Sequence, residues 1–133
     1  MGKLVKLNSV KEPELVTVKK NEQTNDYTYL GININICKLT DGSYEWDCIE
    51  IDNGSGFFKV VNNIHNSDNE KKYSILITHI IRAYYNDHQM TAIVNNYLLE
   101  PENEKYVKEF NDMQKIRKLA KATAKQIIDN NLF

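Results

Sequence analysis

Three histidines and two cysteines are the side chains best suited to bind a metal. No two of His65, His79 and His88 have the short spacing of a metal site. Cys37 and Cys48 do not form a Cys-x-x-Cys pair. The sequence therefore predicts no bound metal, and no motif in it predicts a cofactor.

The side chains able to act as nucleophiles or as general acids and bases lack partners in the sequence. Cys48 falls on the apolar side of a predicted strand, where a thiol stays protonated and inert. Asp87 and His88 could form an oriented base, but their position at a predicted helix start favours a cap. Glu45 and Asp47 alternate with apolar residues, which predicts a solvated face. We therefore predict no enzymatic activity; an enzyme would need a constellation that only the fold brings together.

The clearest charge pattern is a cluster of cations near the C-terminal end. At 100° per residue, four cationic side chains fall within about 100° of one another on a helix. They are Arg117, Lys118, Lys121 and Lys125, and we call them the basic arc. One interpretation is an anionic partner, either nucleic-acid phosphate or an acidic protein groove.

The second interpretation of the basic arc is a solvated face. Its cations would complement the negative end of the helix dipole. Glu100, Glu102 and Glu104 crowd the opposite end of the same predicted helix, as the dipole also favours. We regard this second interpretation as the stronger of the two.

The basic arc belongs to a long helix predicted from Pro101 to about Asn130. It would have roughly 29 residues and a length of about 43 Å. Apolar side chains recur on it every three or four residues as one stripe. They are Tyr106, Phe110, Met113, Ile116, Ala120, Ala124 and Ile127.

The long helix is also the predicted partner-binding element. A shorter helix at 87–99 can cover only its N-terminal half, so we expect the half from about Ile116 onward to be uncovered. The anchors of the predicted contact are Tyr106, Phe110, Met113 and Ile116, with the basic arc as a charged rim.

Alternating apolar residues predict strands in the N-terminal half, at 3–7, 15–18, 27–38, 44–48 and 57–61. A three-residue loop with Gly42 in the left-handed region would pair Ile36 with Trp46 and Ile34 with Cys48. This register puts all four on one apolar face. Cys37 then lies on the other face, so no disulfide with Cys48 is expected.

Three helices follow the predicted strands. Ser67 and Glu70 form a capping-box pattern before a helix that ends near Tyr85. The shorter helix at 87–99 and the long helix come next, joined at Glu100 and Pro101. The sequence therefore predicts an α+β fold, with an antiparallel β-meander of about four to five strands followed by three helices.

The bulk composition suits one domain over residues 1–133, with the sheet in 1–64 and the helical part in 67–131. The net charge is −1, so any electrostatic role must come from a local patch. Apolar runs are too short to cross a bilayer, and the first residues lack the apolar segment of a signal peptide. We expect a cytoplasmic protein.

Short motifs in residues 76–126 resemble the C-terminal helices of small structural and assembly proteins of tailed bacteriophages and prophages. The motifs are Ile80-Ile81-Arg82-Ala83-Tyr84-Tyr85, Met90-Thr91-Ala92-Ile93, Glu109-Phe110 and the run from Arg117 to Lys125. The resemblance implies a virion or accessory component, and it brings no catalytic residues. It does not extend to the hairpin of Tyr44 and Trp46.

These observations predict a non-enzymatic structural or assembly protein that acts through protein–protein contacts of its C-terminal helices. It would work as a homo-oligomer or in a larger assembly in the host cytoplasm. The alternative is a small module that binds nucleic acid or inhibits a host protein through the basic arc.

Overall fold

A computed structural model describes residues 2–24, 27–51 and 67–130. These residues form a four-stranded antiparallel sheet followed by three helices, which is the predicted α+β fold. The predicted strand at 57–61 lies outside the described residues. The elements are β1 (Gly2–Ser9), β2 (Val16–Lys20), β3 (Tyr27–Lys38), β4 (Tyr44–Ile51), α1 (Asn69–Tyr84), α2 (Asp87–Leu99) and α3 (Glu104–Asp129).

The strand order of the sheet is β1-β4-β3-β2. Strands β2, β3 and β4 are consecutive and form a meander, while β1 pairs with β4 at the far edge. The connection from β1 to β2, residues 10–15, must therefore pass across β4 and β3. Three strand spacings of about 4.8 Å make this crossing about 14 Å wide.

The loop between β3 and β4 is the predicted three-residue loop. Gly42 has a φ of 87°, in the region that a side chain rarely allows. The Gly42 amide donates to the carbonyl of Leu39 at 3.1 Å, and the Leu39 amide donates to the carbonyl of Ser43 at 2.7 Å. Lys38 pairs with Tyr44 just below the loop, so the predicted register is confirmed there.

A second bulge, four residues further from the loop, changes the register. Ile34 pairs with Asp47 and Cys37 pairs with Glu45, which leaves two residues of β3 opposite Trp46. One of these two, Asn35, has a φ of 58°, a conformation that asparagine tolerates better than other residues with side chains. The predicted pairing of Ile34 with Cys48 is therefore wrong, because β3 has a second bulge that the sequence did not predict.

The bulge places the two apolar groups of the hairpin on opposite faces of the sheet. Ile32 pairs with Ile49, whereas Asn33 pairs with Cys48. Paired residues of an antiparallel ladder share a face. Trp46 and Cys48 therefore lie on the face opposite Ile32 and Ile34, which we call the isoleucine face, and the predicted single apolar face is wrong.

The main core lies between the isoleucine face of the sheet, α1 and the C-terminal half of α3. Ala120 and Ala124 are fully buried, and such small side chains let two helices approach closely. The expectation that α3 is uncovered from Ile116 onward is therefore wrong, because the sheet and α1 cover that half. The buried core residues are Val16, Leu30, Ile32, Ile34, Ile49, Leu76, Ile80, Ile81, Ala120, Ala124 and Ile127.

Two helix starts differ from the predicted positions. The α1 cap is Asp68, whose carboxylate accepts from the Lys71 amide at 2.8 Å, one residue later than the predicted capping box began. Helix α3 begins at Glu104 rather than at Pro101, because Asn103 caps it by accepting from the Lys105 amide. The helix has 26 residues and is about 39 Å long.

A side-chain hydrogen bond ties α1 to the sheet. The Tyr84 hydroxyl donates to Asp47 Oδ2 at 2.7 Å, and Asn35 Nδ2 donates to the same oxygen at 3.5 Å. Asp47 therefore lies on the helix side of the sheet, not on the predicted solvated face. Burial and the Asp47 carboxylate raise the pKa of Tyr84 above its ordinary value of 10.0.

Replacing Asn35 tests the left-handed bulge. Asn35→Val should lower the free energy of unfolding by about 1–2 kcal/mol, because a β-branched side chain is strained at this φ. Asn35→Gly should change it by less than about 0.5 kcal/mol. Urea unfolding measures both, with Cys37→Val as the control on the same strand. If Asn35→Val matches Cys37→Val, the bulge is not as described.

Replacing Tyr84 tests the tie between α1 and the sheet. The unfolded chain loses the phenolic proton near pH 10, while the folded chain keeps it to higher pH. The contribution of the Tyr84–Asp47 hydrogen bond to the free energy of unfolding is therefore complete below pH 10 and is lost as pH rises further. Tyr84→Phe should be less stable than the parent chain by about 1 kcal/mol at pH 8, and this difference should shrink above pH 10. A constant difference from pH 8 to pH 11.5 would contradict the hydrogen bond.

Candidate interaction surface

Helices α2 and α3 form a hairpin of which one arm is poorly buried. None of the 13 residues of α2 is fully buried, and the helix packs mainly on α3. The rings of Tyr97 and Phe110 stack with centroids 4.2 Å apart and planes inclined by 7°. Met90 joins the edge of the main core. The hairpin is therefore held by contacts largely separate from those of the body.

The tip of this hairpin exposes apolar surface. Leu98 is 68% exposed and Leu99 is 80% exposed, directly after Tyr97 in α2. A single exposed leucine is ordinary, but two adjacent ones form a continuous patch. Glu100, Glu102 and Glu104 follow, all exposed. We call these five residues, the two leucines and the three glutamates, the hairpin tip.

The predicted anchor residues pack within the chain. Phe110 stacks on Tyr97, while Tyr106 and Ile116 are half-buried. Met113 is 1% exposed, so a partner cannot reach it while the chain keeps this fold. Contact of the other three with a partner stays a prediction.

The basic arc lies on the surface of α3. Arg117, Lys118, Lys121 and Lys125 are all exposed. In the part of the chain that the structure describes, none of them forms a salt bridge. The arc is thus a patch of uncompensated positive charge, beside the core and not over an uncovered apolar stripe.

A cavity of about 550 Å³ lies between the 10–15 connection and the sheet face that carries Trp46. Asn33 organises it. The Trp46 indole N–H donates to Asn33 Oδ1 at 3.0 Å, and Asn33 Nδ2 donates to the carbonyl of Glu14 at 2.6 Å and to Thr17 Oγ1 at 3.0 Å. Because the amide uses its acceptor and its donors within the chain, its role is to hold the connection across the sheet.

The reactive groups beside this cavity are held in their neutral forms. The Tyr29 hydroxyl lies 3.5 Å from Cys48 Sγ and donates to Glu50 at 3.2 Å. Burial raises the pKa of the Cys48 thiol, and burial together with Cys48 and Glu50 raises the pKa of Tyr29. The prediction of a buried, protonated Cys48 is confirmed, and this arrangement supplies no nucleophile at neutral pH. Cys37 is exposed, and both cysteines are free.

The two histidines that the structure describes lie in different helices. His79 is half-buried in α1, where burial lowers its pKa, and His88 is exposed at the start of α2. Asp87 forms a salt bridge with Arg82 at 3.3 Å, and Asn86 caps the helix. His65 lies outside the described residues. Within the described ranges, no group of three or more histidine, cysteine or carboxylate side chains could hold a metal.

Two features were not predicted from the sequence: the role of Asn33 and the exposure of Leu98 and Leu99. Asn33 resembles Asn35 in the alternating pattern of β3, so nothing marked it as the residue that holds the connection. Leu98 and Leu99 did carry a signal, since two successive apolar residues at a helix end cannot both face α3.

Comparisons with protein-family models, characterised proteins and solved structures find no match to this chain. The resemblance of residues 76–126 to tailed-phage proteins therefore stays a prediction. No helix among the described residues is both long and apolar enough to span a membrane.

Replacing Asn33 tests its role in holding the connection. Asn33→Ala leaves the buried Trp46 indole N–H without its acceptor and should cost about 1–3 kcal/mol of unfolding free energy. Trp46 is the only tryptophan, so its fluorescence should shift to the red as water reaches the ring. Asn8→Ala, at an exposed asparagine of β1, is the control.

A Trp46→Phe background separates the two roles of the Asn33 amide. With the indole N–H absent, Asn33→Ala should cost about 1 kcal/mol less than in the parent chain. An equal cost in both backgrounds, with unchanged fluorescence in Asn33→Ala, would contradict the network.

Proposed function

We propose that this protein is a non-enzymatic structural or assembly component that acts through the tip of its α2–α3 hairpin. The observation that carries the proposal is the adjacent exposure of Leu98 and Leu99 at the end of a helix with no buried residue. Each leucine would gain about 1.5–3 kcal/mol on full burial against a partner. Such a patch is typical of a protein contact.

The division of the fold supports this role. The body has its own core between the sheet, α1 and the C-terminal half of α3. Helix α2 adds no buried residue to that core, so the tip of the hairpin can bind a partner without loss of the body's packing. The predicted contact had its anchors at Tyr106, Phe110, Met113 and Ile116 with the basic arc as a rim, and we now place its apolar part at Leu98 and Leu99 instead.

We further propose a tailed-phage virion or accessory protein as the setting. The support is the resemblance of residues 76–126, a range that includes the whole of α2 and most of α3. An assembly protein of this kind would be made in the host cytoplasm and would work in several copies.

Nucleic-acid binding through the basic arc is the second candidate. Four exposed cations without salt bridges favour it, whereas the net charge of −1 gives no general attraction to phosphate. A gel-shift titration on generic DNA and RNA at two salt concentrations tests it. Binding through the arc would weaken steeply with salt, because bound counterions are released.

Serine replacements at the hairpin tip test the leading proposal. The parent chain should self-associate in sedimentation velocity, and Leu98→Ser with Leu99→Ser should shift it toward the monomer by at least about tenfold in dissociation constant. The control is Val10→Ser, an 87% exposed apolar residue on the β1–β2 connection. A parent chain that stays monomeric, or a double variant that associates like the parent, would contradict self-assembly through the tip.

A further inference from the structure

Opposite charges lie toward the two ends of α3, with glutamates at and just before its N-terminal end and the basic arc in its C-terminal half. The glutamates of the hairpin tip, Glu100, Glu102 and Glu104, form no salt bridge with any described residue. The same holds for the basic arc at the other end. A folded chain therefore presents an acidic site at the N-terminal end of α3 and a basic site in its C-terminal half.

The helix keeps these two sites apart. Glu104 and Lys118 are separated by about 21 Å along the axis, at 1.5 Å per residue. This exceeds the screening length of about 8 Å at physiological salt, so the two charges barely interact. Because Glu104 and the basic arc belong to one helix, no bending of a loop can bring them together.

We propose that the partner of the hairpin is a second copy of this chain, docked antiparallel so that each hairpin tip faces the other copy's basic arc. This inference rests on the proposed function and specifies its partner. Such a pair has twofold symmetry, so a single complementary contact occurs twice. Charge complementarity of this kind fixes orientation and suppresses other arrangements.

The spacing of Glu104 and Lys118 along α3 gives the position of the twofold axis. Pairing Glu104 with Lys118 puts the axis at Asn111, midway between them on α3. Asn111 is exposed, as a residue on the axis must be. Positions seven residues apart differ by only about 20° around a helix, so Glu104, Asn111 and Lys118 share one exposed face of α3.

Lys108 and Lys115 place positive charge near this axis, and Asp112 offsets part of it. Lys108 forms a salt bridge with Asp112 at 2.8 Å in the same helix. The hydrogen bond from Lys108, with the charges of Lys108 and Lys115, lowers the pKa of Asp112. Asp112 stays ionised and offsets part of the repulsion that the lysines of two copies would otherwise cause.

The exposed leucines also find a partner surface in this arrangement. Leu98 and Leu99 lie directly beside Glu100, so they would lie over the C-terminal turns of the other copy's α3. That surface contains the exposed Ala122 and the aliphatic stems of the basic arc lysines. The apolar and charged parts of the tip would thus dock together.

Two charge-reversal variants test the arrangement. The first is Glu102→Lys with Glu104→Lys, and the second is Lys118→Glu with Lys121→Glu. Each alone would face like charge across the pair and should dissociate at least about tenfold more readily than the parent in sedimentation velocity. Mixed in equal amounts, they should form a heterodimer, because each tip then meets an arc of opposite charge.

The matched control is Lys11→Glu with Lys71→Glu, which changes the net charge as much as the second variant does but lies outside α2 and α3. It should associate like the parent. Circular dichroism and thermal unfolding check that every variant keeps its fold, and a variant that unfolds is replaced by the single change Glu104→Lys or Lys118→Glu.

The outcomes separate this inference from the proposed function. If association depends on Leu98 and Leu99 but the mixed variants stay monomeric, the antiparallel pairing is overturned and the tip remains a contact. If neither the leucines nor the charges affect association, both are overturned. If the parent is monomeric and loses binding to DNA or RNA on Lys118→Glu with Lys121→Glu, the arc serves nucleic acid, and the pairing is overturned.

Discussion

The bulge at Asn35 and Ile36 decides which side chains of the hairpin face the helices. Without it, the register set by the Gly42 loop would continue, and Ile34 would share a face with Cys48. With it, Ile32 and Ile34 lie on the face that packs against α1, while Trp46 lies on the other face. A left-handed residue in mid-strand is costly unless the surroundings stabilise it. Here the Asn35 amide and the Tyr84 hydroxyl meet at one oxygen of Asp47, on the helix side.

The two faces that the bulge creates have different roles. The isoleucine face binds α1 and the C-terminal half of α3, and the alanines of α3 allow the close approach. The opposite face holds the connection of residues 10–15 through Asn33. The core takes the C-terminal half of α3, whereas α2 packs on the helix through the stack of Tyr97 on Phe110. The exposed tip is a consequence of this division.

The sequence predicted the elements well because their signals are local. Alternation marks β3, and Gly42 marks the loop, since three residues can close it only with one in the left-handed region. The second bulge had no such signal, because Asn33 and Asn35 look alike and both registers keep the alternation. The choice between them depends on contacts with Tyr84 and α1. The same limit applies to α3, where the stripe through Ala120 and Ala124 shows that one face is apolar but not which element covers it.

Disulfide cross-linking between two copies at the proposed twofold axis tests the antiparallel pairing most directly. In a Cys37→Ser background, which leaves only the buried Cys48, Asn111→Cys would place two thiols close together across the axis. Paired helices lie about 8–10 Å apart, within reach of oxidative cross-linking once the side chains adjust. In the same pair, Lys125→Cys would put the two thiols about 42 Å apart along the direction of the α3 helices. The antiparallel pair predicts a covalent dimer for Asn111→Cys and none for Lys125→Cys. Equal cross-linking at both positions, or none at Asn111→Cys, would contradict this pairing.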